Sequence, residues 1–312
     1  MAAADSGGRR GMAGESTSGT VTRIAMASLA VGITVLGLKA GAAWLTGSIA
    51  LYSDALESVV NVVTAIVALV AVRLAARPAD AALPYGYGKA EYFSAVIIGV
   101  FIAVAALLIF NEAWHGFTNP RDFDADPLGI AISMGATVIN AAWAWHLIRT
   151  GRRERSPSLV ADGRHLATDV VSTIGVLLGV LLAVVSGYRQ IDAILAALVG
   201  CTILWSGWQL IRESVVGLMD VAVEPATLKR IREVISESAE GAIEAHDIRT
   251  RAAGRAIFID FHLVVPGTMS VEAAHEICDR IEARLRDSVP DAQITIHVEP
   301  EVKAKHSGIV VV

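Results

Sequence analysis

Cysteine, aromatic and charged residues are all scarce in this 312-residue chain. Its two cysteines, Cys201 in an apolar run and Cys278 in a polar region, exclude a disulfide framework and are expected to be packing residues. Charged residues make up 18% against 54% hydrophobic ones, and the mean hydropathy is positive. That is too apolar for an ordinary soluble protein and places the chain in a bilayer. The formal net charge of −5 says little, because in a membrane chain the distribution of charge matters more; no nucleic-acid partner is expected. The chain also lacks an HExxH, a GxSxG and a phosphate-cradling motif, so it is not expected to be an enzyme. No apolar segment of signal-peptide length follows Arg9 and Arg10. Residues 1–20 are therefore expected to form a disordered tail.

Six apolar runs are long enough to cross a bilayer: residues 21–45, 49–76, 92–117, 128–150, 157–185 and 191–212. All are predicted to be helices, since a spanning segment must satisfy its own backbone. Arginines and lysines crowd alternate ends, with Arg9, Arg10 and Arg23 before the first span, Arg73, Arg77 and Lys89 around the second connection, and Arg149, Arg152, Arg153 and Arg155 after the fourth span. The positive-inside rule then puts both termini in the cytoplasm. The six spans form a domain of residues 21–213, and the composition turns polar and mixed over residues 214–312.

Two of the spans carry polar groups at the same spacing. Asp54, Glu57 and Asn61 in the second and Asp162, His165 and Asp169 in the fifth stand at i, i+3 and i+7, which aligns each trio on one helix face. Ionisable groups at membrane depth are costly and mark ion pathways, proton relays or metal sites. Glu57 lies about nine residues in from one surface and His165 about nine from the other, roughly 13 Å at about 1.5 Å per residue. In a core about 30 Å thick both reach the midplane. Glu57, Asn61, His165 and Asp169 could then surround one divalent cation.

The polar C-terminal part reads as a helix (225–239), two strands (245–252 and 256–265), a helix (270–288) and a strand (292–299). Ile257, Ile259, Phe261 and Leu263 alternate, as do Ile294, Ile296 and Val298. This αββαβ order predicts a small α+β domain, ferredoxin-like or metallochaperone-like, with helices on one face. The whole is a membrane all-α six-helix domain followed by that cytoplasmic domain. His246, His262, His275 and His297, four of the eight histidines, fall in the latter. Glu299 shares with His297 a strand face opposite the apolar one.

These residues resemble the cation diffusion facilitator family of metal exporters. The likeness rests on Thr46-Gly47-Ser48 leading into SDALESVVNV, on RPAD and YGYGKAE, on ADGRHLATDV, and on EAHDIRTR and ITIHVEP in the tail. They occur in family order from about residue 20 to residue 300. The resemblance implies a homodimer of the cell (inner) membrane that exports Zn²⁺, or Fe²⁺, Co²⁺, Mn²⁺ or Cd²⁺, in exchange for protons. It implies a transport site of Glu57, Asn61, His165 and Asp169, in which Glu57 and Asn61 depart from the family's usual Asp or His and Asp. Asp54 and Asp162, one turn away, would line the access path or act from the outer shell. It also implies a cytoplasmic metal site of His246, His262, His275, His297 and Glu299 in a dimerising tail domain, and a charge pair of Lys89 and Asp220 at the dimer interface. A further family site is expected to be absent: Asp80 is in place, but the histidine positions read Leu83 and Tyr87. A membrane metal sensor, or an intramembrane metalloenzyme with the same ligands, would use the same residues differently.

Overall fold

The computed structural model describes residues 7–46, 49–119, 127–186, 188, 190–305 and 308–310. The chain divides into two compact units, Met1–Val215 and Val216–Val312.

The N-terminal unit is built of α1 (Gly7–Thr46), α2 (Ile49–Ala75), α3 (Ala90–Thr118), α4 (Pro127–Arg153), α5 (Pro157–Ser186) and α6 (Gln190–Leu218). Among the described residues, five of these helices are long and apolar enough to cross a membrane. α5, of 30 residues, is as long but carries Asp162, Arg164, His165 and Asp169 within its N-terminal half. Val70, Leu108, Val138, Leu178 and Leu198 are among many large apolar side chains on the outer surface. Such a surface suits hydrocarbon rather than water. α1 starts at Gly7, so residues 7–20 are helical where the sequence predicts disorder. Once a span exists, each further turn extends a helix that needs no new nucleus.

Small residues set the approach of the helices that carry the polar faces. A Cβ on Gly163 of α5 would lie 2.8 Å from Ile148 Cγ1 and 2.9 Å from Leu147 Cβ on α4, so only glycine allows this crossing. The start of α5 is tied to α3 by the buried carboxylate of Glu91. It accepts from the Ser156 hydroxyl and from the Ser158 backbone N–H, and Ser94 Oγ and Ser158 Oγ are 2.5 Å apart. A carboxylate against free N–H groups at a helix N-terminus is a stabilising arrangement.

The C-terminal unit contains α7 (Pro225–Ser238), β1 (Glu244–Ala253), β2 (Ala256–Val265), α8 (Val271–Ser288), β3 (Ala292–Pro300), a 3₁₀ turn (Glu301–Lys303) and β4 (Ile309–Val310). The sheet order is β3-β2-β1-β4, with β1 antiparallel to β2 and β4, and β2 parallel to β3. Gly254, at φ 61, makes the tight turn between β1 and β2. Ser270 caps α8 by accepting from the Ala273 N–H at 3.1 Å. The alternating Ile257, Ile259, Phe261 and Leu263 of β2 pack with Ile231 and Ile235 of α7 and Ile277, Ile281 and Leu285 of α8. Both helices thus cover one face. Cys278 lies in that core, where burial pushes its thiol pKa up; Cys201 is exposed on α6.

Candidate metal sites

In the membrane unit, α2 and α5 are joined through Asp162. Its carboxylate accepts from the Ser28 hydroxyl of α1 at 2.6 Å and lies 3.4 Å from the Thr64 hydroxyl of α2, which also bonds the Asn61 carbonyl of its own helix at 2.9 Å. Successive spans alternate in direction, so α2 and α5 run antiparallel. One turn back along α2 from Thr64 is Asn61, and one turn forward along α5 from Asp162 is His165. The register therefore sets Asn61 level with His165, and Glu57 level with Asp169.

Burial falls along this row. Asp162 is 1% exposed, His165 2% and Asn61 4%, Asp169 is half-buried and Glu57 is exposed. Glu57, level with Asp169, is thus the most exposed of the four groups. Among the described residues, neither ring nitrogen of His165 nor Oδ1 of Asn61 has a hydrogen-bond partner. Buried polar atoms nearly always find one, so these lone pairs need an explanation. The side chain of Asp54 lies outside the described residues.

Ser28 and Thr64, which face Asp162, and the buried Asn140 are polar residues of this region that the sequence did not single out. A hydroxyl in a span usually bonds back to its own helix, as Thr34 does to the Ala30 carbonyl and Ser214 to that of Leu210. Its presence alone does not distinguish a bridging group.

The loop between α2 and α3 shows the opposite condition. The Asp80 carboxylate accepts from the Tyr87 hydroxyl at 2.6 Å and from the backbone N–H groups of Ala82 and Leu83 at 2.9 and 2.8 Å. The Tyr87 bond, then the backbone donors, hold its pKa below the usual carboxylate range, and the same bond pushes the Tyr87 phenol up. This carboxylate is used within its own turn.

In the C-terminal unit, strand register assembles the cluster. His246 pairs across with His262, and His262 with His297, so three imidazoles stand abreast on neighbouring strands. Their ring centroids are 5.3 and 5.0 Å apart, close to the spacing of the strands. They lie on the sheet face opposite the helices. Glu299, one step further along β3 on the same face, brings Oε2 to 3.3 Å from His246 Nε2, and Oε1 to 3.3 Å from His262 Nδ1 and 3.7 Å from His297 Nε2. His246 Nδ1 lies 3.0 Å from Glu244 Oε1. Because an ionised carboxylate only accepts, this bond places the proton on Nδ1 and turns the Nε2 lone pair towards Glu299.

Glu244, Asp247 and Lys305 complete the surroundings, and none of them is among the residues read from the sequence. Asp247 stands at an irregularity in the β1–β2 register with φ 52. Its ligand atom, with those of His246 and His262, falls in a group whose atoms all lie within 4.8 Å of one another. Lys305 Nζ donates to Asp247 at 2.6 Å, which lowers the Asp247 pKa. The alternation of Glu244 and His246 along β1 was a legible signal; the irregularity at Asp247 and the later return of Lys305 were not.

His275 is not brought to this cluster within one chain. It lies on α8, on the other side of the sheet, 75% exposed with Nε2 3.8 Å from Asp279 Oδ1. Helix α8 uses the face of Ala274, Ile277 and Ile281 for the core, which turns His275 outward. Lys89 is the N-cap residue of α3. Asp220 accepts from Arg251 Nη1 at 3.1 Å.

A multi-helix apolar unit with buried carboxylate, amide and imidazole side chains, followed by an α+β domain with a histidine cluster, defines a class of membrane cation transporters. Residues 25–219 match the cation efflux transmembrane domain and residues 223–301 the cytoplasmic domain of cation efflux proteins. The chain belongs to this cation efflux family, the cation diffusion facilitators. It is 42% identical over 276 residues to the uncharacterized transporter sll1263 of Synechocystis sp., covering 88% of this chain and 89% of that protein. It is 31% identical to the cation-efflux pump FieF of Shewanella oneidensis, over 88% of this chain and 92% of that one. Among solved structures, the Zn form of CzrB is 46% identical, with a TM-score of 0.27, and spans 28% of this chain and 98% of that one.

Proposed function

We propose that the protein exports a divalent transition-metal cation from the cytoplasm, Zn²⁺ foremost, by exchange for protons. The observation that carries this reading is the His165 imidazole, buried inside the span α5 with no hydrogen-bond partner for either nitrogen among the described residues. A lone pair held ready in a desolvated place is the condition for a ligand that must bind and release. His165, Asp169 and Asn61 bind the ion, and the exposed Glu57 joins them. The name of the FieF relative, a cation-efflux pump, supports outward transport.

The fall in burial from Asp162 to Glu57 fits a conformation closed towards the cytoplasm and open outward, given cytoplasmic termini. In the inward-facing state metal meets deprotonated ligands. After the helices rock, protons taken up by His165 and Asp169 displace it, because proton and metal compete for the same groups. The protein acts in the cell membrane as a homodimer.

The donor set of the cytoplasmic cluster fits a metal of the same kind: three imidazoles around one carboxylate, with Glu244 orienting His246. His246, His262, His297 and Glu299 would hold it, and His275, which faces away in its own chain, can reach such a cluster only from a second copy. A bound metal there supplies a link between two tail domains.

The test is uptake into proteoliposomes containing the full-length protein, across a panel of Zn²⁺, Fe²⁺, Co²⁺, Mn²⁺ and Cd²⁺, with and without an imposed pH gradient. Metal flux that follows the proton gradient supports the reading. Metal binding with no flux would make the protein a sensor and sink it.

A further inference from the structure

A small cavity lies between α1, α2, α4 and α5, lined by Ser28, Ser58, Asn61, Asn140 and Asp162 together with the apolar Val31, Gly32, Val35 and Leu166. It has room for about one water molecule. We propose that it is a second cation position, whose polar lining offers oxygen ligands and no imidazole, through which the transported divalent ion passes on the cytoplasmic side of His165. This rests on the transport reading above and adds to it a position and a residue, Asn140, that the reading does not contain.

Three observations point to a cation. Asp162 brings a carboxylate into the interior, and the two hydroxyls that face it, from Ser28 and Thr64, carry no charge. A carboxylate desolvated among neutral hydroxyls carries its charge at least cost when a cation stands beside it. The Oδ1 of Asn61, which also lines the cavity, has no partner among the described residues. Asn140, 4% exposed, adds a second amide from α4, where an apolar residue would have filled the same space. Hydroxyl, amide and carboxylate oxygens suit a hard cation, Mn²⁺ better than Zn²⁺, whereas the neighbouring imidazole favours the softer ion.

The position also has a direction. Asp162 lies one turn nearer the α5 N-terminus than His165, so with cytoplasmic termini an incoming ion meets the oxygens first. Asn61 belongs to both sets. Its one amide oxygen can serve one ion at a time, which makes it the point of transfer. With a single carboxylate the cavity holds an ion weakly enough to give it up.

The experiment measures Zn²⁺ flux into proteoliposomes over a range of concentrations, with Mn²⁺ as competitor, for the parent protein, Asn140→Leu, Asn140→Asp and Ser28→Ala. Asn140→Leu is expected to raise the KM for Zn²⁺ about tenfold with maximal flux retained, and to raise the Mn²⁺ inhibition constant further. Asn140→Asp should lower both constants. Ser28→Ala, a small change that the packing tolerates, should shift them in the direction of Asn140→Leu. Parental constants in all three variants would mean that the cavity holds water only, and a fall in maximal flux at unchanged KM in both Asn140 variants would make the residue structural. Either result overturns the second position while leaving transport intact. A parent protein that moves no metal overturns the transport reading itself.

Discussion

The buried histidines His165 and His246 differ in whether a neighbour holds the ring. In α5, neither nitrogen of His165 has a hydrogen-bond partner among the described residues. In β1, His246 is held through Nδ1 by Glu244 at 3.0 Å, while its Nε2, 3.3 Å from Glu299, has no hydrogen-bond partner among the described residues. The first is an uncommitted ligand that can take and lose an ion quickly. The second is fixed in tautomer and orientation, as a resident metal requires. The scaffolds match these tasks. Two helices meeting at single turns can slide or rock and so remake the row of Asn61, His165 and Asp169. Three strands locked by a backbone ladder keep His246, His262 and His297 abreast at a constant spacing.

The comparison breaks first if the transmembrane ligands are dispensable. Asp169→Ala and His165→Ala are each expected to reduce metal flux by more than about a hundredfold, in line with the loss of a ligand from a desolvated site. The purified protein should keep its melting temperature, and the cytoplasmic cluster its metal. Flux at the parental rate in either variant would remove the row from the mechanism.

The next effect tests the helical scaffold. Gly163→Leu places side-chain atoms where α4 already stands, with even a Cβ 2.8 Å from Ile148 Cγ1. Overpacking of this kind costs typically about 1–3 kcal/mol. The variant should melt earlier in detergent and lose most of its flux, because Asp162 and His165 flank the displaced position. If Gly163→Leu melts and transports as the parent does, α4 does not position the site.

Much of this contrast could be read from the residues themselves. The spans announce themselves by length and apolarity, and β2 by the alternation of Ile257, Ile259, Phe261 and Leu263. The matched i, i+3, i+7 spacing set out both polar faces. What the sequence could not supply was register. That His246, His262 and His297 share a row, while His275 faces away on α8, depends on how β1, β2 and β3 align and on which side the helices cover. β4 is two residues long, too short for any periodicity, yet it pairs with β1 beside the cluster. In the membrane unit, the roles of Ser28 and Asn140 depend on helix rotation, which an isolated polar residue does not reveal.

A smaller effect sharpens the account of the strand-held cluster. Glu299 lies within 3.7 Å of nitrogens from three histidines. Glu299→Gln keeps its size and removes its charge. The metal-free protein should fold as before, while the gain in melting temperature on adding Zn²⁺ falls to a small fraction of the parent's. For scale, a metal at 100 times its Kd stabilises by about 2.7 kcal/mol. Equal zinc-dependent shifts for Glu299→Gln and the parent would show that the carboxylate is not a ligand.

The smallest effect concerns Asp80, a carboxylate that its own loop already satisfies. Its folded-state pKa is lowered from the ordinary 3.8, first by the Tyr87 hydroxyl. A lowered pKa contributes stability above the unfolded value, and that contribution is lost as pH falls through the folded value. The Tyr87 phenol, raised from 10.0 by the same bond, contributes below its unfolded value and loses that contribution as pH rises through the folded one. Tyr87→Phe removes the shared bond but leaves the two backbone donors on Asp80. The Asp80 carboxyl resonance should then titrate at higher pH than in the parent while staying below 3.8, and the melting temperature at pH 7 should change little, because the group is exposed. Metal flux should be unchanged, since this carboxylate takes no part in either metal site. A loss of flux in Tyr87→Phe would join the loop to the transport path and remove the distinction between a carboxylate spent on its own turn and a ligand kept open for metal.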